Sequence, residues 1–309
     1  MTQPVKEIPP RLVPLKDRGV ISVKGEDAHR FLQALLAQDL TKLFREKALY
    51  SLFLTATGRV FADFFVLQAE KGLWIECEKA RLQGLMKALQ LYCLRQDVVL
   101  EDISHSHYVF SLFGSKSLGG ALKLLPLEGS CRFESDANGD ESAAFVDPRL
   151  ARLGVRLIAT QKTTFPLRQW PQGTLDDYRV MCFELGVAEG ASLKPQKAMP
   201  LEYGLHKLNG LSDKKGCYLG QELIARTLHR GVIRKHVFPA LCQDPTPDKE
   251  TAVTLNGKTV GEVIDTHKTI ALLRLSIAEA LEAYHAKVPM MAASTKLSPY
   301  PVSWMGLES

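Results

Sequence analysis

The sequence predicts an α+β protein of antiparallel hairpins, followed by a small β-barrel. Three observations carry that expectation. Apolar patterns between residues 49 and 113 run strand, strand, strand, helix, then strand again, an order that suits antiparallel layers better than alternating βαβ units. Thr57-Gly58 sits between two apolar runs in the manner of a hairpin turn. From residue 236 onward, short strands and turn signals recur at even spacing, which points to a barrel.

Taken in order, residues 19–24 (GVISVK) alternate as a strand. Gly25-Glu26-Asp27 then opens a helix with Ala28, Phe31, Leu32, Leu35 and Leu36 on one face, and Asp27 is placed to cap it. Residues 49–54, 59–67 and 73–77 read as strands, 79–92 as a helix with Leu82, Leu85, Met86 and Leu89 inward, and 97–101 and 107–113 as strands. Residues 129–142 are polar, with a turn at Asn138-Gly139-Asp140, and 154–159 read as a strand after Asp147-Pro148-Arg149. A helix is expected over 174–186, a loop over 188–200, a second helix from Pro200 to about Gly210, and a third over 220–229 closed by Gly231 at C′. Strands at 236–241, 259–264, 269–275 and 287–293, with a turn at Asn256-Gly257, make up the barrel.

A chain of 309 residues has room for two or three domains, and 46% hydrophobic with 24% charged residues is ordinary for a globular protein. No apolar run approaches the roughly 18 residues of a membrane span. The first 25 residues lack an apolar stretch and carry acidic residues, so they read neither as a secretory signal nor as a transit peptide. Cys77, Cys93, Cys131, Cys182, Cys217 and Cys242 include no C-x-x-C pair, so no metal site is expected, and their number in a long chain fits a reducing compartment. Cys93 and Cys182 fall on apolar helical faces and read as core.

Charge is concentrated. Lys214, Lys215, Arg226, Arg230, Arg234 and Lys235 stand against Glu222 alone between residues 214 and 235, which equals the +5 excess of the whole chain. Such a window reads either as a patch for an anionic partner or as a solvated helix face. Nucleic acid is the weaker reading, because aromatic residues hardly interleave the patch beyond Tyr218. Inside this window Cys217 follows two lysines and precedes a helix, and both features favour thiolate over thiol, so a depressed pKa is expected. Gly216 and Gly220 would leave backbone N–H groups open to an anion. The alternative is a small residue in a tight turn. His206, His229 and His236 lie near in sequence and could help bind an anion or serve as caps.

The run Lys215-Gly216-Cys217-Tyr218-Leu219-Gly220-Gln221-Glu222, continued by Ala225-Arg226-Thr227 and Gly231 to Lys235, resembles the signature of the YgfZ family of folate-binding proteins. That family is related to the T-protein (GcvT, aminomethyltransferase) of glycine cleavage. Weaker echoes span most of the chain, among them Gly25 to Phe31, Thr57-Gly58-Arg59, Tyr92 to Arg95, Asp147-Pro148-Arg149, Pro200-Leu201-Glu202 and Gly261-Glu262-Val263. The resemblance implies duplicated ferredoxin-like, folate-binding units with a C-terminal β-barrel. Their expected extents are residues 1–45 plus 147–237, residues 46–146, and residues 238–309 for the barrel.

It also implies tetrahydrofolate, or its 5-formyl or 5,10-methylene derivative, as ligand, and a role in maturing or repairing 4Fe–4S proteins with Cys217 as the key thiol. A pterin presents a fork of N–H donors that a carboxylate accepts well. The T-protein pattern E-A-G aligns with Glu184-Leu185-Gly186, which makes Glu184 the first candidate partner and Glu202 the second. Lys215, Gly216, Tyr218, Gln221 and Arg226 complete the expected binding set. Iron–sulfur client or assembly proteins are the implied partners, without nucleic acid or membrane. A monomer is expected, cytoplasmic in a bacterium or in the mitochondrial matrix of a eukaryote. One departure bears on chemistry. T-proteins carry an Asp-Asp pair after the hairpin glycine, and here Ala62-Asp63 stands in its place. Aminomethyl transfer is the alternative function, and this gap counts against it.

Overall fold

A computed structural model of the chain describes residues 9–114, 118–243 and 245–307. The first eight residues, part of the segment weighed as a presequence, lie outside the described ones. The chain divides into two compact units. One takes Met1–Phe53, Phe61–Tyr178 and Leu208–Leu219, the other Leu54–Val60, Arg179–Lys207 and Gly220–Ser309.

The elements, in chain order, begin with β1 (Arg11–Pro14), β2 (Arg18–Lys24), α1 (Ala28–Leu35), β3 (Leu49–Leu54), β4 (Val60–Ala69) and β5 (Gly72–Glu78). Then come α2 (Lys79–Gln90), β6 (Val99–Asp102), β7 (Tyr108–Phe113), a short α3 (Leu118–Ala121), β8 (Cys131–Ser135), β9 (Glu141–Val146) and β10 (Val155–Ala159). The remainder is α4 (Leu175–Glu184), α5 (Gln221–Arg230), β11 (Lys235–Cys242), β12 (Ala252–Leu255), β13 (Lys258–His267), β14 (Ile270–Ser276), α6 (Ile277–Ala286), β15 (Met290–Ala292) and β16 (Thr295–Pro299).

The first unit holds two five-stranded sheets, ordered β1-β7-β10-β9-β8 and β3-β4-β5-β2-β6. In the second sheet the two-residue period sorts side chains by face. Ala62, Phe64 and Val66 of β4 meet Ile21, Ile75 and the inner faces of α1 and α2 in one apolar cluster. Each such fully buried large apolar side chain contributes roughly 1.5–3 kcal/mol. The alternate residues Asp63 and Phe65 are buried on the opposite face, where Phe65 meets Phe145 of β9 at 5.4 Å between ring centroids. That layer also contains charge. Arg149 and Arg156 stack over Phe65 at 4.9 and 4.8 Å, and both are buried.

The second unit carries a closed barrel, β11-β14-β13-β12-β15-β16, filled by Phe238, Val253, Val263, Leu273, Leu275, Met290 and Leu297. Asn256 and Gly257 both take positive φ, 50° and 79°, which lets a two-residue turn join β12 to β13.

Several local expectations need correction. Residues 200–209 form successive turns rather than a helix, with Gly204 at φ 65° and Asn209 at φ 58° breaking any helical run. The polar stretch 129–142 contains β8 and the start of β9, whose charged residues masked their strand character. The barrel includes a helix, α6, which buries Ala280 and Ala283, and the strand expected at 287–293 is confined to β15, Met290–Ala292. Asp27 stands at the N-cap of α1, but its side chain makes no capping bond and instead accepts from the Asp97 N–H and from Arg30. Gly231 follows α5 with φ −105° and is not in the left-handed conformation of a C′ glycine.

Candidate functional site

The segment from Lys214 to Leu219 belongs to the first unit, and its anchor is Lys215. The side chain of Lys215 is buried, and its Nζ donates to the carbonyl oxygens of Gln33 at 2.5 Å, Leu36 at 2.7 Å and Gln38 at 3.1 Å. Carbonyls at the end of a helix lack intrahelical donors, and the helix dipole places partial negative charge there. The ammonium therefore supplies three donors to three acceptors at and beyond the C-terminal end of α1. The Tyr218 ring lies 5.4 Å beneath the same ammonium. Burial pushes the Lys215 amine down to about 8, opposed by the charge of Asp39, so the group stays protonated at neutral pH. Burial also pushes the Tyr218 phenol up to about 12.

Two residues on, Cys217 is exposed, while the other five cysteines are buried or half-buried. It lies three residues before Gly220, the N-cap of α5. That is outside the first turn, where a helix dipole acts most strongly. Of the two lysines expected to support a thiolate, Lys215 is committed to backbone carbonyls and Lys214 is exposed. The basic window is thus not one surface patch, because one of its cations is spent inside the protein.

The other expected binding residues fall in the second unit. Glu184, at the end of α4, has a surface open to solvent, yet the protein around it raises its carboxyl above the usual carboxylate range. Its backbone oxygen accepts from the Tyr300 hydroxyl at 3.3 Å. Glu202 is half-buried and paired with Arg274 at 2.9 Å. Gln221 begins α5, and Arg226 pairs with Glu222 one turn earlier at 2.6 Å. Gly220 takes φ 77°, and a Cβ on it would lie 2.4 Å from the Thr55 carbonyl oxygen. A Cβ on Gly58 would in turn meet the Gly220 oxygen at 2.9 Å. These two glycines serve close packing between the 55–59 hairpin and the start of α5. A Cβ on Gly216 would meet open space. The sequence-expected residues are therefore distributed as Lys215, Gly216, Cys217 and Tyr218 in one unit, and Glu184, Glu202, Gln221 and Arg226 in the other.

His236 is buried and neutral. Its Nδ1 faces the Val237 oxygen at 2.9 Å, and burial pushes its pKa down to about 4. His206 is also lowered by burial, and the His229 side chain lies outside the described residues.

Sequence reasoning missed two charge clusters. In the first unit Arg18 Nε donates to Glu76 at 2.5 Å, Arg149 pairs with Asp147 at 2.7 Å, and Arg156 donates to the Tyr178 hydroxyl at 2.6 Å, all buried. Asp63 belongs to the same interior, accepting from Tyr50 at 3.2 Å, and Ala62 faces the apolar cluster. The signal available was Asp147-Pro148-Arg149, whose two charges stand two residues apart. The second cluster lines a cleft of about 340 Å³ in the second unit, with Arg59, Lys194, Lys197, Glu202, Glu250, Glu262 and Arg274 around Tyr203. No local pattern announced it.

Comparison with known proteins decides the family. Residues 12–125 match the GCVT N-terminal domain, and residues 234–307 match the CAF17 C-terminal beta-barrel domain. The mitochondrial iron–sulfur cluster assembly factor IBA57 of Homo sapiens is 33% identical over 267 residues, covering 80% of this chain and 72% of the human protein. Its Mus musculus counterpart is 30% identical over 283 residues, covering 84% and 76%. The chain belongs to the IBA57 family. A Neurospora crassa homologue is 31% identical over 241 residues, covering 74% of this chain and 53% of that longer protein. Among solved structures, the glycine cleavage system aminomethyltransferase T of Bartonella henselae superposes with a TM-score of 0.74 at 16% identity, covering 96% of this chain and 87% of that one. The fold is therefore that of the aminomethyltransferases, the C-terminal barrel included. Within this IBA57-family chain no helix of the described residues is long and apolar enough to cross a membrane.

Proposed function

We propose that this chain is an assembly factor for iron–sulfur proteins, that it binds a tetrahydrofolate, and that Cys217 is its working thiol. The observation that carries the reading is the treatment of one short segment. Lys215 is locked into three carbonyls while Cys217, two residues later, is left exposed. A fold that anchors a loop and then exposes a cysteine from it presents a thiol to a partner rather than burying a small residue. The IBA57 relatives are named for cluster assembly and for the mitochondrion, which supports a matrix setting and iron–sulfur clients or assembly proteins as partners. The motif run from Lys215 to Glu222 links the chain further to the YgfZ family, and with it to tetrahydrofolate, for which Glu184 and Glu202 remain the candidate pterin partners.

Aminomethyl transfer is less well supported. The carboxylate that remains from the T-protein pair, Asp63, is 2% exposed and engaged by Tyr50. A sealed carboxylate in a layer of arginines and aromatic rings is poorly placed to meet a substrate.

Complementation tests the reading. Cells lacking this protein, supplied with the wild type, should recover the activity of a 4Fe–4S enzyme, and Cys217→Ser should not restore it although it folds and accumulates. Full recovery with Cys217→Ser would remove the thiol from the function. Calorimetry with 5-formyltetrahydrofolate at two ionic strengths tests the folate part, with affinity expected to fall as salt rises.

A further inference from the structure

The cleft of the second unit has an unfilled electrostatic valence. Its carboxylates are all matched within the cleft. Glu202 pairs with Arg274 at 2.9 Å, Glu262 with Arg274 at 2.9 Å and Lys194 at 3.7 Å, and Glu250 with Lys194 at 3.3 Å. Its cations are not. Among the described residues neither Arg59 nor Lys197 has a carboxylate partner. Arg59 is nonetheless held in place. Its Nη1 donates to the Lys197 carbonyl oxygen at 3.0 Å, and its backbone N–H donates to Thr55 Oγ1 at 3.1 Å. The hairpin that carries it is braced by the glycine contact at Gly220. That bond restrains the guanidinium and leaves its other donors available, and such donors recognise carboxylate or phosphate by paired hydrogen bonds.

A third component points the same way. Tyr203 lines this cleft and is 3% exposed, and its hydroxyl makes no hydrogen bond to any described residue. Burial shifts the phenol upward, opposed by Arg274 and reinforced by Glu262 and Glu202, so it remains a neutral donor. The hydroxyl is not sealed in the interior, so it can donate to a ligand in the cleft. The volume, about 340 Å³, lies at the small end of the range for small-molecule sites, roughly 300–1,000 Å³.

We propose that this cleft binds a small organic anion through its carboxylate or phosphate group, held by Arg59 and Lys197 with Tyr203 as a neutral donor. The cleft shares Glu202 with the candidate pterin partners, but the inference rests on Arg59 and Lys197 and not on the folate assignment. The paired carboxylates at the other end of the cleft accept any N–H groups the same ligand carries, while Arg274 and Lys194 offset their charge.

The full chain is titrated with inorganic phosphate and, separately, with glutarate, while the Arg59 guanidinium signal is followed by NMR and heat by calorimetry. One of the two probes should saturate with a dissociation constant on the order of 1 mM or tighter. Saturation by glutarate alone assigns a carboxylate ligand, and by phosphate alone a phosphate one. Arg59→Gln should weaken the binding about tenfold or more, because a charge-assisted pair is lost. Lys197→Gln should weaken it several-fold without touching the hairpin, since that side chain is exposed and its carbonyl remains. Tyr203→Phe should weaken it by a smaller factor. Glu184→Gln and Cys217→Ser should leave it unchanged, which separates failure here from failure of the folate or thiol reading. The proposal is overturned if neither probe shifts the Arg59 signal at tenfold the expected constant, or if Lys197→Gln and Tyr203→Phe both bind as the wild type does.

Discussion

The two charge clusters use the same side chains in opposite surroundings. In the first unit Arg18, Arg149 and Arg156 with Glu76, Asp147 and Asp63 are at most 7% exposed, between two sheets. In the second unit the cleft cluster faces solvent, with Glu250 64% exposed at its side chain and Arg274 30%. A buried ion pair repays its desolvation only when its geometry is nearly complete, and losing one partner leaves a naked charge. A solvated pair is weak and replaceable, so its members can exchange partners with a ligand. The buried cluster is thus a structural device that holds two sheets in one register. The open cluster can change partners.

The largest expected effect tests the buried half of this contrast. Glu76→Gln removes the carboxylate that receives Arg18 and faces Arg156 at 3.7 Å. It should cost about 3–5 kcal/mol of stability in urea titration. A loss under ~1 kcal/mol would show that water reaches the layer and that the two clusters do not differ as stated.

The next tests whether the second unit has a buried polar group of its own. His236 has a folded pKa near 4, against 6.5 for an ordinary histidine, because burial disfavours the imidazolium. Its folded pKa is depressed, so the unfolded chain binds the proton first as pH falls. The contribution is therefore fully present above pH 6.5 and is lost progressively toward pH 4. It amounts to about 3 kcal/mol, most of it lost between those values. Thermal melts across this window should show a fall that His236→Phe largely removes. An unchanged acid slope in that variant would assign the transition to other groups.

Lys215 falls between the two clusters, a buried cation satisfied by carbonyls instead of carboxylates. Lys215→Met leaves the Gln33, Leu36 and Gln38 oxygens without this donor and should cost about 1–3 kcal/mol. Iodoacetamide should then label Cys217 at an altered rate, and amides near residue 38 should exchange faster. Unaltered labelling together with unaltered exchange would mean that the loop is held by Tyr218 packing alone. The smallest effect belongs to the open cluster. Glu250→Gln should change stability by no more than ~0.5 kcal/mol, and differential calorimetry can bound it.

Much of the fold was legible in advance because its elements declare themselves by period. The apolar face of α1, the inward leucines of α2 and the alternation in β2 each required only a count along the chain. The Asn256-Gly257 turn was equally plain. Elements whose burial is arranged by distant neighbours were not. β8 carries Arg132 and Glu134 and looks like a loop until β9 pairs with it. Residues 200–209 look helical until Gly204 and Asn209 are seen at positive φ.

The candidate site divides along the same line. The spacing from Lys215 to Glu222 was sufficient to mark the segment and to single out Cys217. It could not tell Lys214 from Lys215, two adjacent residues of identical chemistry. Only the approach of the loop to the end of α1 buries one and exposes the other. Nor could it join Arg59 to Lys197, 138 residues apart, or set Tyr50 against Asp63. Local sequence records which side chains favour burial and which turns the backbone can take. Which charge meets which is decided by the path of the chain, because a hydrogen bond or ion pair needs its partner within about 3–4 Å, and that partner is supplied by topology.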